Sequence, residues 1–277
     1  MEVLYGLHPV EEAVRSGARR LDCVLLARER GDARLERLAG LCRDADVRVT
    51  LESRDQLTRL AHTDAHQGAV ALVRERAFLT IEDLLAPQSI PNKIERNSEE
   101  TQSQHRFFLA LDGIEDPHNL GALLRSADGA GVDGVILPER RTAPVSATVA
   151  KTSAGASEHV RIARVTNLVR ALEQMKQANV WVLGLDERGA PDYMDFDFRT
   201  DCVLVLGREG AGLHDLVKKT CDHLLRIPMA GRVSSLNVSV AGAVVMYEAM
   251  RQRSQPAQPI PSPRPAAPAK PRRGLGS

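Results

Sequence analysis

From residue 107 to residue 252, short apolar runs alternate with longer segments whose apolar residues recur at helical spacing. The predicted strands are 108–111, 135–137, 160–162, 180–184, 203–206 and 224–227. The predicted helices are 120–129, 145–153, 168–178, 214–220 and 236–252. Because crossover helices join parallel strands and cover both faces of the sheet, this alternation predicts an α/β fold with a mostly parallel sheet.

A smaller alternation of the same kind occupies the first 80 residues. Its predicted helices are 9–16, 33–44 and 55–61, and its predicted strands are 23–27, 47–51 and 68–73. Residues 86–105 are polar and contain two prolines, which is typical of a linker. A chain of 277 residues, 43% of them hydrophobic, has enough apolar material for two cores. We therefore expect a small α/β domain at 1–78, a linker at 79–106 and a larger domain at 107–253.

The C-terminal segment 254–277 has a different composition. Seven of the 15 prolines lie between residues 256 and 271, which predicts a disordered tail. From residue 251 onward there are six basic residues and no acidic one, so residues 1–250 carry 31 basic and 36 acidic side chains, a formal charge of −5. A nucleic acid would therefore have to bind local basic patches. The tail is either a dispensable solvated extension or an electrostatic arm that speeds association.

Several classes of protein are disfavoured by the sequence. The apolar runs are far shorter than the roughly 20 residues of a membrane span, and the N-terminus has no signal-peptide pattern, so we expect a cytoplasmic protein. The four cysteines lack C-x-x-C spacing, and His62 and His66 have no accompanying third ligand, so no metal is expected. An aromatic content of 3% disfavours a platform on which bases stack.

The first candidate functional segment follows the strand predicted at 108–111. Asn119 lies near the start of the next helix, where its side chain can cap free backbone N–H groups, and Arg125 lies six residues further on. A helix cap followed by a surface arginine explains this pair as well as a functional site does. His118 is by default a histidine of a surface loop.

The second candidate segment, residues 206–213, follows the strand predicted at 203–206 and reads Leu-Gly-Arg-Glu-Gly-Ala-Gly-Leu. Its glycines, Gly207 among them, allow backbone to approach a ligand closely, although the spacing is not the G-x-G-x-x-G of dinucleotide sites. A structural turn is the alternative. Glu209 favours a site, because an exposed carboxylate at a strand end has no packing role.

The third candidate segment, residues 227–237, reads Ile-Pro-Met-Ala-Gly-Arg-Val-Ser-Ser-Leu-Asn and leads into an apolar helix. Ser234, Ser235 and Asn237 could simply cap that helix. An arginine, two serines and an asparagine directly before a buried helix are nevertheless unusual.

In this order, the three segments resemble the three sequence motifs of the SpoU (TrmH) branch of the SPOUT methyltransferases. Within that branch, residues 151–156, 164–168 and 227–241 most resemble members that methylate a guanosine ribose in the peptidyl-transferase region of 23S ribosomal RNA. Residues 5–10 and 66–68 resemble the N-terminal substrate-binding domain of those members, whose fold is similar to some ribosomal proteins.

The resemblance implies a C-terminal trefoil knot, a homodimer, and methyl transfer from S-adenosylmethionine to a ribose 2′-hydroxyl of 23S ribosomal RNA, with no DNA partner. Carried over position by position, it places S-adenosylmethionine against the backbone of Gly207, Ile227 and Leu236. It places the acceptor ribose among Asn119, Arg125, Glu209, Ser235 and Asn237.

Roles for these residues follow from their chemistry. A guanidinium stays protonated in proteins, so we expect Arg125 to grip a phosphate rather than to act as a base. Asn119 would orient the ribose, and Asn237 with Ser235 would hold the loop and Glu209.

Two alternatives remain. The same chemistry on transfer RNA is possible, although the N-terminal domain favours ribosomal RNA. A ribosome-associated RNA-binding protein without catalysis would be expected to have lost the three motifs, and all three are present here.

Overall fold

The computed structural model describes residues 1–28, 32–86 and 105–255. The segment 87–104 of the expected linker and the segment 256–277 of the expected tail lie outside the described residues. Within the described part, the chain forms two separate sheets with their helices.

The N-terminal sheet has four strands among the described residues, in the order β1-β4-β2-β3. The strands are β1 Glu2–Tyr5, β2 Leu21–Ala27, β3 Val49–Glu52 and β4 Ala69–Val73. The helices are α1 Leu7–Ser16, α2 Ala33–Asp44 and α3 Arg54–Ala61. β4 is antiparallel to both β1 and β2, whereas β2 and β3 are parallel. Strand β1 was not predicted, because four residues are too few to show a clear period.

Side-chain caps fix where two of these helices begin. Asp32 accepts the backbone N–H of Arg34 at the start of α2, and Ser53 accepts that of Gln56 at the start of α3. Such caps satisfy N–H groups that have no partner within the helix.

The C-terminal sheet has six strands in the described part of the chain, and every pairing between them is parallel. The strands are β5 Phe107–Leu111, β6 Gly134–Pro138, β7 Ile162–Val165, β8 Trp181–Leu185, β9 Cys202–Leu206 and β10 His223–Leu225. The helices are α4 Ile81–Leu85, α5 Pro117–Gly129, α6 Ala147–Thr152, α7 Leu168–Gln177, α8 Asp215–Thr220 and α9 Val238–Arg253. The order is β10-β8-β9-β5-β6-β7, so β9 and β5 lie in the middle and are entirely buried. The prediction of a mostly parallel sheet is confirmed.

Several boundaries differ from those predicted. Strand β7 begins at Ile162, because Val160 is buried in the loop before it rather than paired in the sheet. Strand β10 ends at Leu225, and α9 begins at Val238 because Asn237 caps it. Consequently Ile227 and Leu236, which were expected to lie in these elements, both belong to the connection between them.

Helix α4 lies inside the segment 79–106 that was expected to be a linker. Thr80 and Asp83 form a reciprocal capping box, and Ile81 and Leu84 are buried in the core of the C-terminal sheet. These few apolar side chains are enough to order one turn of helix, although the surrounding composition is polar.

A buried ionic cluster joins the two sheets. The Glu158 side chain, only 1% exposed, lies 3.5 Å from the guanidinium of Arg19 and 3.1 Å from that of Arg76. Both arginines come from the N-terminal unit, and Arg19 also contacts Glu2. Charges removed from water are costly unless they are paired, so the buried charge of Glu158 depends on arginines of the N-terminal unit.

In the described segments, no helix is long and apolar enough to cross a membrane. No group of three or more His, Cys, Asp or Glu side chains within those segments could hold a metal ion.

Candidate active site

Three segments meet at the carboxyl edge of the C-terminal sheet. They are the start of α5, the glycine loop (residues 207–213) after β9, and the connecting loop (residues 226–237) between β10 and α9. Open parallel sheets bind their ligands at this edge.

The glycine loop is closed by its own backbone. Arg208 N donates to Gly212 O at 3.0 Å, and Gly212 N donates to Arg208 O at 2.9 Å. A Cβ on Gly207 would lie 2.2 Å from the backbone carbon of Gly212 and 2.3 Å from the nitrogen of Leu213. Only glycine fits at position 207, so the loop is a backbone structure built around that residue.

A cavity of about 390 Å³ lies between the glycine loop and the connecting loop. Gly207, Ile227 and Leu236, the residues expected to bind the methyl donor, all line it. Glu209 and Ser235, expected on the acceptor side, line it as well. Its size falls within the roughly 300–1,000 Å³ of small-molecule sites.

Several further lining residues were not identified from the sequence. Among them are Leu185 at the end of β8, Asp186 directly after it, and Lys218 on α8. Lys218 Nζ donates to Asp186 Oδ2 at 2.6 Å. Burial alone would raise the pKa of Asp186, but this hydrogen bond and that from the backbone N–H of Arg188 lower it below its usual 3.8. The cavity therefore has an ionised carboxylate in its wall, and no sequence motif marks it.

An acceptor cluster, defined as Asn119, Glu209 and Asn237, brings together one side chain from each segment. Asn119 Nδ2 donates to Glu209 Oε2 at 3.2 Å. Asn237 Nδ2 lies 3.0 Å from both Glu209 Oε1 and Asn119 Oδ1 and donates to them. Two amides thus hold one carboxylate, which also borders the cavity.

Asn237 has a second function in the same place. Its Oδ1 accepts the backbone N–H of Ser239 at 2.9 Å and the Ser239 hydroxyl at 2.6 Å. It therefore caps α9 with its oxygen while its nitrogen completes the acceptor cluster.

The structure does not bring Arg125 and Ser235 into the acceptor cluster. Arg125 lies on α5, about 9 Å along the helix axis beyond Asn119, and its side chain is exposed. Neither the Arg125 nor the Ser235 side chain makes a hydrogen bond within the described parts of the chain, so the side-chain contacts to Glu209 come from the two asparagines. Both polar groups remain available for a ligand.

A buried aspartate at the end of β5, Asp112, was also missed. Its two carboxylate oxygens accept hydrogen bonds from His214, one from the backbone N–H at 2.7 Å and one from Nδ1 at 2.8 Å. This pair ties β5 to the start of α8 across 102 residues. The only sequence signal was an aspartate directly after an apolar strand.

Comparison with protein families gives two matches. The profile of the SpoU rRNA Methylase family matches residues 106–247, and a profile described as RNA 2′-O ribose methyltransferase substrate binding matches residues 3–79. The two matched regions together cover most of the chain.

Relatives of known name are similar over nearly the whole length. The 23S rRNA (guanosine-2′-O-)-methyltransferase RlmB of Ralstonia nicotianae is 40% identical, covering 91% of this chain and 96% of that protein. YacO of Bacillus subtilis, whose name places it in the TrmH family and mentions both tRNA and rRNA, is 37% identical with the same coverage.

Solved structures show the same arrangement. The SpoU methyltransferase AviRb of Streptomyces viridochromogenes, in complex with AdoMet, superposes with a TM-score of 0.71 at 26% identity, covering 91% of this chain and 90% of that one. An AdoMet-bound rRNA methyltransferase of Sinorhizobium meliloti gives 0.69 at 26% identity, with coverages of 90% and 87%.

Proposed function

The chain belongs to the SpoU rRNA methylase family, and on that premise we propose that it methylates the ribose 2′-hydroxyl of a guanosine in 23S ribosomal RNA, using S-adenosylmethionine. Its C-terminal unit has the α/β trefoil-knot fold of the SPOUT methyltransferases. The observation that carries the proposal is the position of Glu209, which lines the cavity and also belongs to the acceptor cluster. Donor and acceptor sites thereby share one carboxylate.

The cavity fits S-adenosylmethionine in size and chemistry. When bound, this molecule supplies an electrophilic methyl group on a sulfonium centre. Leu185, Ile227 and Leu236 offer apolar walls, and Gly207 offers close approach to backbone. Asp186, paired with Lys218, offers carboxylate oxygens that can accept further hydrogen bonds.

The acceptor cluster is suited to positioning a hydroxyl group. Asn119 and Asn237 occupy part of the hydrogen-bonding capacity of Glu209, and the remaining lone pairs of the carboxylate can accept the ribose hydroxyl. The free hydroxyl of Ser235 lies on the same cavity wall. Holding the hydroxyl in line with the methyl group would supply much of the rate acceleration.

Arg125 has a role outside the acceptor cluster in this proposal. Its exposed guanidinium has no carboxylate partner among the residues described, and a planar fork of donors suits bidentate binding of a phosphate. We place it on a phosphate of the bound RNA, away from the reacting atoms.

The proposal includes a homodimer. On α9, Val240 and Tyr247 are both 48% exposed and lie seven residues apart, so they share one face of the helix. The Tyr247 hydroxyl lies against Gly129 at the end of α5, so this face of α9 adjoins α5. Sedimentation of the wild-type protein should give twice the chain mass of 30.2 kDa, and V240K/Y247K should sediment as a monomer.

Ribosomal RNA is the substrate that we propose, because the substrate-binding profile matches residues 3–79, the unit that we also propose as a separate RNA-binding domain. This substrate places the protein in the cytoplasm. Transfer RNA is the second candidate, since the name of YacO mentions both RNAs.

A mixed-substrate assay separates these candidates. The protein is incubated with methyl-labelled S-adenosylmethionine, unmodified 23S ribosomal RNA and unmodified transfer RNA together. Label in the ribosomal RNA is the expected result. Label only in transfer RNA would overturn the substrate and keep the chemistry, and label in neither would overturn the proposed function.

A further inference from the structure

A basic cluster, defined as Arg208, His214 and Arg141, lies beside the acceptor cluster. Arg141 Nη1 is 3.5 Å from His214 Nε2. Arg208 and His214 both border Gly113. A Cβ on Gly113 would lie 2.7 Å from Cγ of Arg208 and 3.5 Å from Cε1 of His214. His214 therefore lies beside Arg141, and it borders Gly113 together with Arg208.

The positive charge of this cluster is not neutralised by the described residues. Asp112 is 5% exposed, and both of its oxygens accept hydrogen bonds from His214 rather than from an arginine. Neither Arg208 nor Arg141 forms an ion pair within the described parts of the chain. The cluster is thus a local cationic spot on a body whose residues 1–250 carry a formal charge of −5.

Arg208 is held in place by packing rather than by a polar partner. Its stem lies over Gly113, whose φ of +81° and lack of a Cβ leave room for it. Its Nε is buried and has no hydrogen-bond acceptor among the described residues. A buried donor without a partner is destabilising, and nothing within the described residues compensates the desolvation of this guanidinium. An anionic ligand would offset that cost.

We infer that the basic cluster binds a phosphodiester group of the RNA backbone. The inference rests on the proposed function, and it concerns a phosphate other than the one assigned to Arg125. Arg208 directly precedes Glu209, so a phosphate held here lies next to the acceptor ribose rather than on a distant part of the RNA. The guanidinium groups of two arginines offer several N–H donors that phosphate oxygens accept.

The test measures RNA binding as a function of salt. Arg208→Gln and Arg141→Gln each remove one charge, and Gln at 208 keeps part of the stem that packs on Gly113. Arg251→Gln is the matched control, because Arg251 pairs with Glu248 about 20 Å along α9 from Asn237. Binding of unmodified 23S ribosomal RNA is measured from 50 to 300 mM KCl, and the affinity for S-adenosylmethionine is measured calorimetrically.

Loss of one phosphate contact should make the slope of log K against log[salt] shallower by about 0.7–0.9 in each cluster variant. The KM for RNA should rise about tenfold or more in both variants. The affinity for S-adenosylmethionine should be unchanged in Arg141→Gln, because Arg141 does not line the cavity, whereas Arg208 does. Arg208→Lys should restore the slope, because it keeps the charge, and Arg251→Gln should match wild type.

If the wild-type protein methylates RNA and both cluster variants have the wild-type salt slope, the assignment of the basic cluster as a phosphate site is overturned and the proposed function is not. If the wild-type protein transfers no methyl group, but the variants still have shallower salt slopes than wild type, the proposed function is overturned and the cluster is supported as a phosphate site. Unfolding midpoints are recorded for each variant, and Arg141→Gln alone provides the slope comparison if Arg208→Gln does not fold.

Discussion

Asn237 donates a hydrogen bond from Nδ2 to Oε1 of Glu209 at 3.0 Å, joining the first residue before α9 to the glycine loop 28 positions earlier. The opposite atom of the same amide, Oδ1, accepts the backbone N–H of Ser239. One side chain therefore stabilises the last helix and orients the carboxylate that we assign to the acceptor site. Because one atom caps α9 and another contacts Glu209, different substitutions at position 237 should affect stability and turnover separately.

Asn237→Asp should reduce turnover without reducing stability. Aspartate caps helices about as well as asparagine, so the melting temperature should remain within a few degrees of wild type. The new carboxylate cannot donate to Glu209 and repels it, so kcat should fall on the order of 10²-fold or more. Methyl transfer and thermal unfolding are measured on the same preparation.

Asn237→Ala is the companion variant. It loses the cap as well as the donor, so the free energy of unfolding should also fall by about 1 kcal/mol. Wild-type turnover in either variant would remove Asn237 from the acceptor site.

Gly207→Ala should abolish binding of S-adenosylmethionine. The added Cβ would lie 2.2 Å from backbone carbon of Gly212, and backbone cannot move aside as a flexible side chain can. Titration calorimetry of the variant should show at least a hundredfold weaker binding.

Gly210→Ala is the matched control in the same loop. Its Cβ would meet no atom within 4 Å, so the cost is limited to the strain of φ +75°, about 1–2 kcal/mol. Equal affinities in Gly207→Ala and wild type would show that the loop does not need its closed form to bind the donor.

Glu158→Ala should destabilise the packing between the two units. It leaves Arg76 buried without its carboxylate and leaves Arg19 paired with Glu2 alone, and removing one partner of a buried ion pair costs about 3–5 kcal/mol. The loss is measured by urea unfolding at neutral pH. Arg251→Gln, which breaks an exposed pair, should cost less than about 1 kcal/mol, and a similar small cost for Glu158→Ala would contradict the role of the cluster.

The ion pair between Asp186 and Lys218 should make part of the stability depend on pH. Although burial opposes it, hydrogen bonding lowers the pKa of Asp186 below 3.8, so folding favours the ionised form. A depressed carboxyl pKa contributes stability that is present above the unfolded pKa and is lost as the pH falls through the folded pKa.

Wild type and Asp186→Asn are therefore compared by urea unfolding from pH 7 down to pH 3. The difference in unfolding free energy, about 1 kcal/mol, should be constant above about pH 5 and shrink below about pH 4. A difference that does not vary over this range would show that the carboxylate is not stabilised by Lys218.

Sequence patterns predicted the elements that packing alone determines. Strands β5 and β9 are buried on both faces, so each is a continuous apolar run, and Asn237 was recognisable as a cap. Helix α4 was missed because one turn of helix, held by Thr80 and Asp83, shows no period within a polar segment.

The site was predictable only in part, for a different reason. Gly207, Ile227 and Leu236 were named through resemblance, whereas no local rule could identify Asp186 or the bond between Asp112 and His214. Those contacts join residues tens of positions apart, and their partners are fixed by the path of the chain through the sheet.

The position of the transferred methyl group tests the central claim most directly. Unmodified 23S ribosomal RNA is labelled with the wild-type protein and methyl-labelled S-adenosylmethionine, then hydrolysed completely with alkali, which requires a free 2′-hydroxyl at each cleaved linkage. The label should appear in one alkali-resistant dinucleotide whose first residue is 2′-O-methylguanosine. Label recovered in a mononucleotide, on a base, or in a dinucleotide whose first residue is not guanosine would contradict the account.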